Sequence, residues 1–346
     1  MKGLYIHIPF CAKKCPYCDF YSLAYSKNLS DNFTQEVLNR LKNMNETYET
    51  LYFGGGTPSL LGMQRIENII QSVNLSKNAE ITLECNPNTN FLNWKNTSIN
   101  RLSLGLQSIN QDELNTLGRS HNKPQVIRTV ESAREIGIEN ISADLMISLP
   151  DMDEYSLLKS VEFCAEQNFQ HISSYMLKVE EGTQFHTDNF KILDEDKSAK
   201  QYLLLVDYLK SYGYNQYEIS NFSKEGFESK HNLKYWLCQE YSALGPSAHS
   251  YENGERRYFP RDIDYFLQGK DSILDSKPDY IEELIMLKLR LTQGLCQEDV
   301  GEEIFKNLLK KTKMIPKDLI EVSRTKINLT SKGFLLSNAI ILKLLD

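Results

Sequence analysis

Residues 5–18 read YIHIPFCAKKCPYC, a short apolar run that ends in three cysteines, Cys11, Cys15 and Cys18. The spacing C-x3-C-x2-C places three thiolates on one short loop. Three thiolates can hold three irons of a cubane cluster and leave the fourth iron open for a small ligand. The stretch therefore predicts a [4Fe-4S] cluster bound just after the first strand of the fold.

Zinc is the alternative metal for this loop. A closed structural zinc site takes four ligands, commonly two C-x2-C pairs far apart in the chain, and the sequence has no second pair. His7 could supply a fourth ligand, but it lies in an apolar strand-like run, where a hydrogen-bonded core histidine is the more common outcome. The ligand rules favour the cluster, and the sequence leaves zinc open.

Composition and charge are those of an ordinary globular protein. The chain has 346 residues, a net charge of -7 and 25% charged residues, and its length suggests two domains. No Lys- or Arg-rich block stands out, which argues against a nucleic-acid partner. No apolar run approaches the roughly 20 residues of a membrane-spanning helix, and the N-terminus lacks a signal-peptide pattern. We therefore expect a cytoplasmic protein without a transmembrane segment.

The remaining cysteines fit the same environment. Seven cysteines are present, and the four outside the loop are scattered along the chain. We interpret these four as small core residues that a reducing cytosol keeps as thiols. They are Cys85, Cys164, Cys238 and Cys296.

Six short apolar runs predict strands, and most are followed by a helical pattern. The predicted strands are 4–8, 51–53, 81–83, 101–106, 141–147 and 171–177. The predicted helices are 31–44, with Asp31 as N-cap, 63–73, 124–136, 155–167 and 199–212. Alternating strands and helices form a parallel sheet with helices outside it. Six units rather than eight predict an α/β fold with an open, partial (β/α)6 barrel.

Polar and unusual residues follow the predicted strands. The cysteine loop follows the first strand, and Gly54-Gly55-Gly56-Thr57-Pro58 follows the second. Glu84-Cys85-Asn86-Pro87 follows the third strand, Gln107-Ser108 the fourth and Pro150-Asp151 the fifth. The chemistry of parallel barrels sits at the C-terminal ends of the strands, so a site is expected there. A glycine triplet alone is also explained by a tight strand-to-helix turn.

The cysteine loop resembles that of the radical S-adenosylmethionine (SAM) superfamily, in which the open iron chelates SAM and delivers the electron that splits it. The run Tyr5-x-His7-Ile8-Pro9-Phe10-Cys11 resembles one branch of that superfamily. This branch contains the oxygen-independent coproporphyrinogen III dehydrogenase HemN and the haem chaperone HemW. HemN proteins carry a further cysteine two positions after the third, whereas this chain has Phe20 there, which is similar to HemW.

The resemblance implies a set of SAM-binding residues. The GGGTP segment would bind the SAM amino group, Tyr5 would pack near the cluster, and the other residues would contact the carboxylate, nucleoside and ribose. The implied set is Tyr5, Gly55, Gly56, Thr57, Glu84 and Gln107, with Arg119 for the carboxylate and Asp144 for the ribose. Glu84, Gln107 and Asp144 could instead cap barrel ends, and Arg119 could be a surface ion-pair partner. Ser148 stands where the family usually has glycine.

Two later motifs imply haem. His231-Asn232-Leu233-Lys234-Tyr235-Trp236 resembles the HemW motif H-N-x-x-Y-W, and residues 245–250, GPSAHS, resemble G-x-GAHS with Ser247 at a usual glycine. Histidine is a natural axial ligand for haem iron. The resemblance implies His231 as that ligand, with His249 as the weaker candidate, and a structural role remains the alternative for both.

A break near residues 253–260, with residues 255–257 as an exposed turn, predicts domains at 1–255 and 256–346. In the second domain, predicted helices 280–291, 297–310 and 316–322 precede a short hairpin of 326–329 and 335–336. This pattern indicates a mainly helical, winged-helix-like domain, which also resembles the HemW C-terminal domain. Residues 261–346 carry 14 Lys and Arg against 14 Asp and Glu. Such neutrality favours a lid or partner-docking role over DNA binding.

These features favour a haem chaperone that carries a [4Fe-4S] cluster and SAM and hands haem to an acceptor protein. Phe20, the H-N-x-x-Y-W motif and the start of the chain at the cluster strand support it. One alternative is a coproporphyrinogen III dehydrogenase that removes hydrogen from propionates with a 5'-deoxyadenosyl radical. Another is a radical SAM enzyme with a different substrate, or a structural metal protein. Catalytic residues, the haem acceptor and the formation of a homodimer are left open.

Overall fold

The computed structural model describes residues 2–346, which contain 17 strands and 14 α-helices. The strands are β1 (Lys2–Ile8), β2 (Phe10–Cys11), β3 (Leu23–Ala24), β4 (Tyr48–Gly55), β5 (Leu75–Cys85), β6 (Arg101–Gln107), β7 (Asn140–Ile147), β8 (His171–Met176), β9 (Asn215–Gln216), β10 (Asn221–Ser223), β11 (Tyr241–Leu244), β12 (His249–Glu252), β13 (Glu255–Tyr258), β14 (Ile273–Ser276), β15 (Leu295–Cys296), β16 (Ile320–Val322) and β17 (Lys326–Leu329). The helices are α1 (Lys27–Leu41), α2 (Met63–Gln71), α3 (Gln111–Thr116), α4 (Lys123–Glu135), α5 (Glu154–Glu166), α6 (Gln184–Thr187), α7 (Glu195–Ser211), α8 (Lys230–Trp236), α9 (Ile263–Leu267), α10 (Tyr280–Lys288), α11 (Gln297–Val300), α12 (Glu302–Lys311), α13 (Ser331–Leu335) and α14 (Ser337–Leu345).

The predicted barrel is confirmed. The six predicted strands are β1, β4, β5, β6, β7 and β8, and each pairs in parallel with the next. The predicted helices are α1, α2, α4, α5 and α7, which connect these strands or follow the last of them. Their buried faces contribute to the main hydrophobic core, as Phe33 and Val37 of α1 do. The result is an open α/β barrel of six strands with helices outside.

One helix start was wrong. Asp31 was predicted as the N-cap of the first helix, but α1 begins four residues earlier, and the side chain of Ser26 accepts the capping hydrogen bond from Leu29 N. Asp31 lies inside the helix, where its carboxylate pairs with Lys27 and with Arg65 of α2. The sequence did not indicate the true start of α1, because its first turn is polar and the apolar helical spacing begins only at Phe33.

The inner face of the barrel is polar, which is unusual for parallel strands that are covered on both faces. In β6, Leu102 and Leu104 are buried in the hydrophobic core, while Arg101 and Ser103 alternate with them. The register aligns Glu84, Ser103, Ser142 and His171 in one row across four strands. The barrel interior is therefore lined with groups that can bind a polar ligand.

The sheet continues on both sides of the six strands. β11 joins β1 in parallel, and β12, β13 and β14 follow as antiparallel strands, giving the order β14-β13-β12-β11-β1. On the other side, β10 and β9 follow β8. The turn predicted at residues 255–257 is wrong, because these residues belong to β13. The boundary after residue 255 stays a prediction, and the large sheet runs through Ser276.

The C-terminal part is mainly helical, as predicted, with a three-stranded sheet of order β15-β17-β16. Its hairpin differs from the prediction. Residues 320–322 form strand β16 rather than the end of a helix, and they pair with β17. Residues 335–336 lie at the junction of α13 and α14 rather than in a strand. Within residues 2–346, no helix is long and apolar enough to cross a bilayer.

Both serines that replace a usual glycine adopt left-handed backbone. The φ angle is 64° at Ser148 and 69° at Ser247. A Cβ disfavours this region by roughly 1–2 kcal/mol, whereas glycine enters it freely. The hydroxyl of Ser148 is also buried without a hydrogen-bond partner. The fold thus requires the glycine-like conformation at both sites, and the serines are strained.

We expect Ser148→Gly and Ser247→Gly each to raise the free energy of unfolding by about 0.5–1 kcal/mol, since relief of the strain outweighs the added entropy of the unfolded chain. Urea denaturation of the single variants measures the change. Ser198→Gly, at the fourth residue of α7, is the control and should destabilise the protein, because glycine weakens helices. A loss of stability in both predicted variants would contradict the strain.

Candidate functional site: the C-terminal face of the barrel

The cysteine loop is anchored at its ends and in its middle. β2 and β3 pair in parallel and close the loop. In the middle, the carbonyl of Pro16 accepts a hydrogen bond from Phe185 N at 3.0 Å. Pro16 also packs so closely on Gly118 that a Cβ there would lie 2.7 Å from Pro16 Cδ. These contacts fix the loop over the strand ends.

Two cysteine sulfurs accept hydrogen bonds from residues that were predicted for the SAM site. Thr57 Oγ1 donates to Cys11 Sγ at 3.6 Å, and Arg119 Nη1 donates to Cys15 Sγ at 3.5 Å. Together with Cys18, these cysteines are free and partly exposed. Hydroxyl and guanidinium donors stabilise thiolate charge.

Asn86 links the two donors; the sequence analysis placed it after the third strand but gave it no role. Its Nδ2 donates to Thr57 Oγ1 at 3.2 Å, and its Oδ1 accepts from Arg119 Nη2 at 2.7 Å. Arg119 also donates to the carbonyl of Gly105 at 2.7 Å. Asn86 directly follows β5, and this strand-end position was the signal for it. Arg119 is thus held inside the site by these acceptors.

The donor set fits a cluster better than a single ion. Among residues 2–346, no three His, Cys, Asp or Glu side chains converge as the ligands of one metal ion do. In a cubane, each thiolate binds a different iron, so the sulfurs do not need to meet at one point. Three free thiols on one clamped loop, two of them facing hydrogen-bond donors, satisfy that requirement.

His7 is a core histidine, as the sequence suggested. It is 3% exposed, and both ring nitrogens are bonded, Nε2 with the carbonyl of Tyr21 at 2.9 Å and Nδ1 with Tyr5 OH at 3.1 Å. Burial lowers its pKa to about 4. His7 therefore connects β1 to the end of the cysteine loop as a neutral imidazole.

The glycines of the GGGTP segment are required by close contacts. Gly55 has a φ of 112°, and a Cβ there would lie 2.7–2.8 Å from the ring of His7. A Cβ on Gly56 would lie 2.7 Å from the carbonyl oxygen of Phe10. The segment thus packs directly on β1 and on the start of the cysteine loop, and this contact places Thr57 beside Cys11.

Glu84 and Asp144 form a carboxyl pair inside the barrel. Glu84 accepts hydrogen bonds from Tyr52 OH at 2.9 Å and Gly55 N at 3.1 Å. Asp144 accepts from Ser103 Oγ at 3.0 Å. Burial, together with the charge of Asp144, raises the pKa of Glu84 to about 7, and burial raises the pKa of Asp144 to about 6. A hydrogen-bond donor or a cation that binds next to either carboxyl would stabilise its ionised form.

Gln107 and Tyr5 lie on the same face. Gln107 ends β6 with a φ of 65°, and its amide nitrogen would be 3.3 Å from a Cβ on Gly105. Tyr5 stacks on Tyr52 with ring centroids 6.1 Å apart. A Cβ on Gly54 would touch both tyrosines and Glu84. The residues predicted for SAM and the cysteines are therefore brought together, while their individual roles stay predictions.

His231 lies in the barrel interior, where its ring stacks on Tyr52 with centroids 5.1 Å apart and lies 6.4 Å from the ring of Tyr5. Its ring nitrogens are bonded to Thr50 Oγ1 at 2.8 Å and to Tyr235 OH at 2.8 Å, and the residue is 1% exposed. Burial, with the charges of Lys234 and Arg101, lowers its pKa to about 3. Haem ligation would require the loss of one hydrogen bond and an opening of the core. His231 as haem ligand stays a prediction that this geometry does not favour.

His249 has the opposite surroundings. It is exposed at the start of β12, and its ring stacks on Tyr258 with centroids 5.7 Å apart.

Comparison with known proteins identifies the family. The Radical SAM superfamily profile matches residues 5–164, and the HemN C-terminal domain profile matches residues 275–336. The chain is 33% identical to "Heme chaperone HemW" of Lactococcus lactis, over 99% of this chain and 96% of that protein. The chain belongs to the HemW family. A Bacillus subtilis protein of the same name is 32% identical over 98% of both chains, and an Escherichia coli one is 35% identical over 87% of this chain and 89% of its own.

Solved structures support the fold. The chain resembles the Escherichia coli coproporphyrinogen III oxidase HemN with a TM-score of 0.84 over 99% of this chain and 89% of that chain. The sequence identity is 20%, so this likeness concerns the fold alone. Membership of the radical SAM superfamily implies a [4Fe-4S] cluster and SAM as cofactors of this chain.

The raised pKa of Glu84 predicts a pH dependence of stability. The unfolded group has a pKa near its ordinary 4.5, whereas the folded group has one of about 7. The unfolded chain therefore loses this proton first, and stability falls as the pH rises from about 4.5 to about 7. We expect Glu84 to contribute a fall of about 1–3 kcal/mol in the cluster-free protein.

Glu84→Gln should flatten this pH dependence, measured by urea unfolding of the cluster-free protein at pH 5 and pH 8. The slope falls only in part, because Asp144 and Glu218 also have raised pKa values through burial. Glu131→Gln, at an exposed position of α4, is the matched control and should keep the wild-type slope. An unchanged slope in Glu84→Gln would show that Glu84 is ionised in the folded protein at pH 5.

Proposed function

We propose that the chain is a haem chaperone that binds a [4Fe-4S] cluster and SAM in its barrel and carries haem to an acceptor protein. The observation that carries the proposal is the similarity to proteins named haem chaperones, which extends over 99% of this chain. The cysteine loop and the polar barrel face are consistent with it.

Cys11, Cys15 and Cys18 would hold the cluster, which supplies an open iron and a low-potential electron when bound. Thr57 and Arg119 stabilise the thiolate charge through the hydrogen bonds to Cys11 and Cys15. Asn86 aligns both donors. These contacts orient two of the three thiolates before anything binds.

The SAM site would lie between the loop and the barrel interior. Gly55, Gly56 and Thr57 offer backbone groups for the amino group, and Arg119 offers a guanidinium edge for the carboxylate. Asp144 can accept hydrogen bonds from two ribose hydroxyls. Tyr5, Glu84 and Gln107 are the other residues that we propose to contact SAM. A cationic sulfonium ligand would also favour the ionised form of Glu84.

Haem is the cargo in this proposal rather than a resident cofactor. The acceptor is a haem-binding protein that docks on the chain, and the C-terminal domain of balanced charge is a suitable docking surface. We propose a cytoplasmic location, where the exposed thiols and the cluster are kept reduced.

The cluster assignment predicts a clear difference between cysteines. After anaerobic reconstitution, Cys15→Ala should lose the cluster, measured as iron and sulfide per chain and by electron paramagnetic resonance of the reduced protein. Cys296→Ala is the matched control, because Cys296 is also free and partly exposed but lies in the C-terminal domain. Retention of one metal ion and no sulfide in the wild type would instead indicate zinc.

The function is tested by adding haem and coproporphyrinogen III separately to the reconstituted protein, with and without SAM. We expect stoichiometric haem binding in the visible absorption spectrum and no decarboxylation of coproporphyrinogen III. The bound haem should then move to an added haem-free acceptor. Conversion of coproporphyrinogen III without a stable haem complex would overturn the chaperone and make the protein a dehydrogenase.

A further inference from the structure

We propose that His249 is the axial ligand that holds the haem iron, with Tyr258 and Ile273 forming the wall that the porphyrin contacts. This inference rests on the proposed function and adds the binding site to it. Three observations carry it: the free ring nitrogens of His249, the continuous face that it shares with Tyr258 and Ile273, and its position beside the cysteine loop.

The first observation is the hydrogen bonding of the histidine ring nitrogens. In residues 2–346, the rings of His7, His171 and His231 use both nitrogens in hydrogen bonds, and His121 uses Nε2 with the carbonyl of Leu106. His249 is exposed and makes no ring hydrogen bond in the described chain. Partial removal from water lowers its pKa, which favours the neutral imidazole that coordinates iron.

His186 is the second exposed histidine, and its surroundings differ. It lies in the last turn of the short helix α6, and no aromatic ring is stacked on it in the described structure. His249 instead stacks on Tyr258 with an interplanar angle of 23°. The axial Fe–N bond lies in the imidazole plane, so a porphyrin on His249 would stand nearly perpendicular to both rings and meet the edge of Tyr258. His186 has no such aromatic neighbour in the described structure.

The second observation is the shared face. His249 pairs directly with Tyr258, and Tyr258 pairs directly with Ile273. Directly opposed residues of antiparallel strands project from the same side of the sheet. The row spans two strand spacings, about 10 Å, which is the scale of a porphyrin ring. Ile273 is 38% exposed, so the wall is open to a ligand.

This row continues the inner face of the barrel. Tyr251, two residues after His249, pairs with Tyr241, and Tyr241 pairs with Gly3 of β1. A Cβ on Gly3 would point at Thr50 and His231 in the barrel interior. The row of His249, Tyr258 and Ile273 thus forms a flat extension of the SAM-binding face toward the open side of the barrel.

The third observation is the neighbourhood of the cysteine loop. Arg261 pairs with Asp19, the residue after Cys18, and both side chains are about half exposed. An exposed ion pair is weak, so a haem propionate can compete with Asp19 for this guanidinium. Phe20, with 64% exposure, adds apolar surface on the same segment. Haem at His249 would therefore contact the loop that binds the cluster.

The test is anaerobic haem titration of the full reconstituted chain, followed by absorption and electron paramagnetic resonance. His249→Ala should lose the histidine-ligated spectrum and bind haem about tenfold or more weakly, because the iron loses its axial ligand. Added imidazole should restore the spectrum. His186→Ala should keep the wild-type spectrum, and SAM binding by each variant reports that the barrel is intact.

A second pair of variants tests the wall. Ile273→Ser should speed haem transfer to an added haem-free globin without changing the ligation spectrum. Leu274→Ser is the matched control, because Leu274 is 44% exposed on the same strand but pairs with Arg257 and lies on the opposite face. A wild-type haem spectrum in His249→Ala overturns this site alone. Absence of haem binding by the wild type overturns the proposed function itself.

Discussion

The hydrogen bonds from Cys11 through Thr57, Asn86 and Arg119 to Cys15 join the ends of four consecutive barrel strands. Arg119 is the component that the others depend on. A guanidinium that is largely removed from water needs several acceptors, and it finds them in Asn86, the Gly105 carbonyl and the Cys15 sulfur. The loop, the glycine segment and the two following strand ends therefore hold one another in place. The cysteine loop is a rigid part of the barrel and not an appended metal-binding segment.

The sequence was sufficient for the barrel because the six central strands are apolar runs. The sequence was insufficient where the local residue pattern indicates one type of secondary structure and the tertiary contacts impose another. β13 reads ERRY and resembles an exposed turn, yet it forms a strand because β12 and β14 pair with it on both sides. Residues 320–322 follow a helix-like pattern but pair with β17. Strand pairing of this kind overrides local propensity.

The candidate site also contains some features that the sequence predicted and others that it could not. Strand-end position alone indicated that Thr57 and Glu84 lie on one face, whereas Arg119 was found only through the family resemblance. Asn86 was placed at the end of the third strand without a role, because asparagine before proline resembles an ordinary turn residue, and only the folded chain shows which donors it joins. His231 was selected because its motif resembles H-N-x-x-Y-W of HemW, which includes aromatic neighbours. Those neighbours bury it, and the partner that occupies its Nδ1, Thr50, is 181 residues away in sequence.

An open barrel also has two sheet edges, where a closed barrel has none. The C-terminal domain covers one of them: Thr292 N donates to Tyr217 O and Ile219 N donates to Arg290 O, next to β9. The other edge is β14, whose four residues are all exposed. Such an edge is a template for strand addition by a second chain. Here the strand is short, carries Asp275 and is followed closely by Pro278, which cannot donate to a ladder. Charge, brevity and proline thus disfavour pairing of this edge with a second chain.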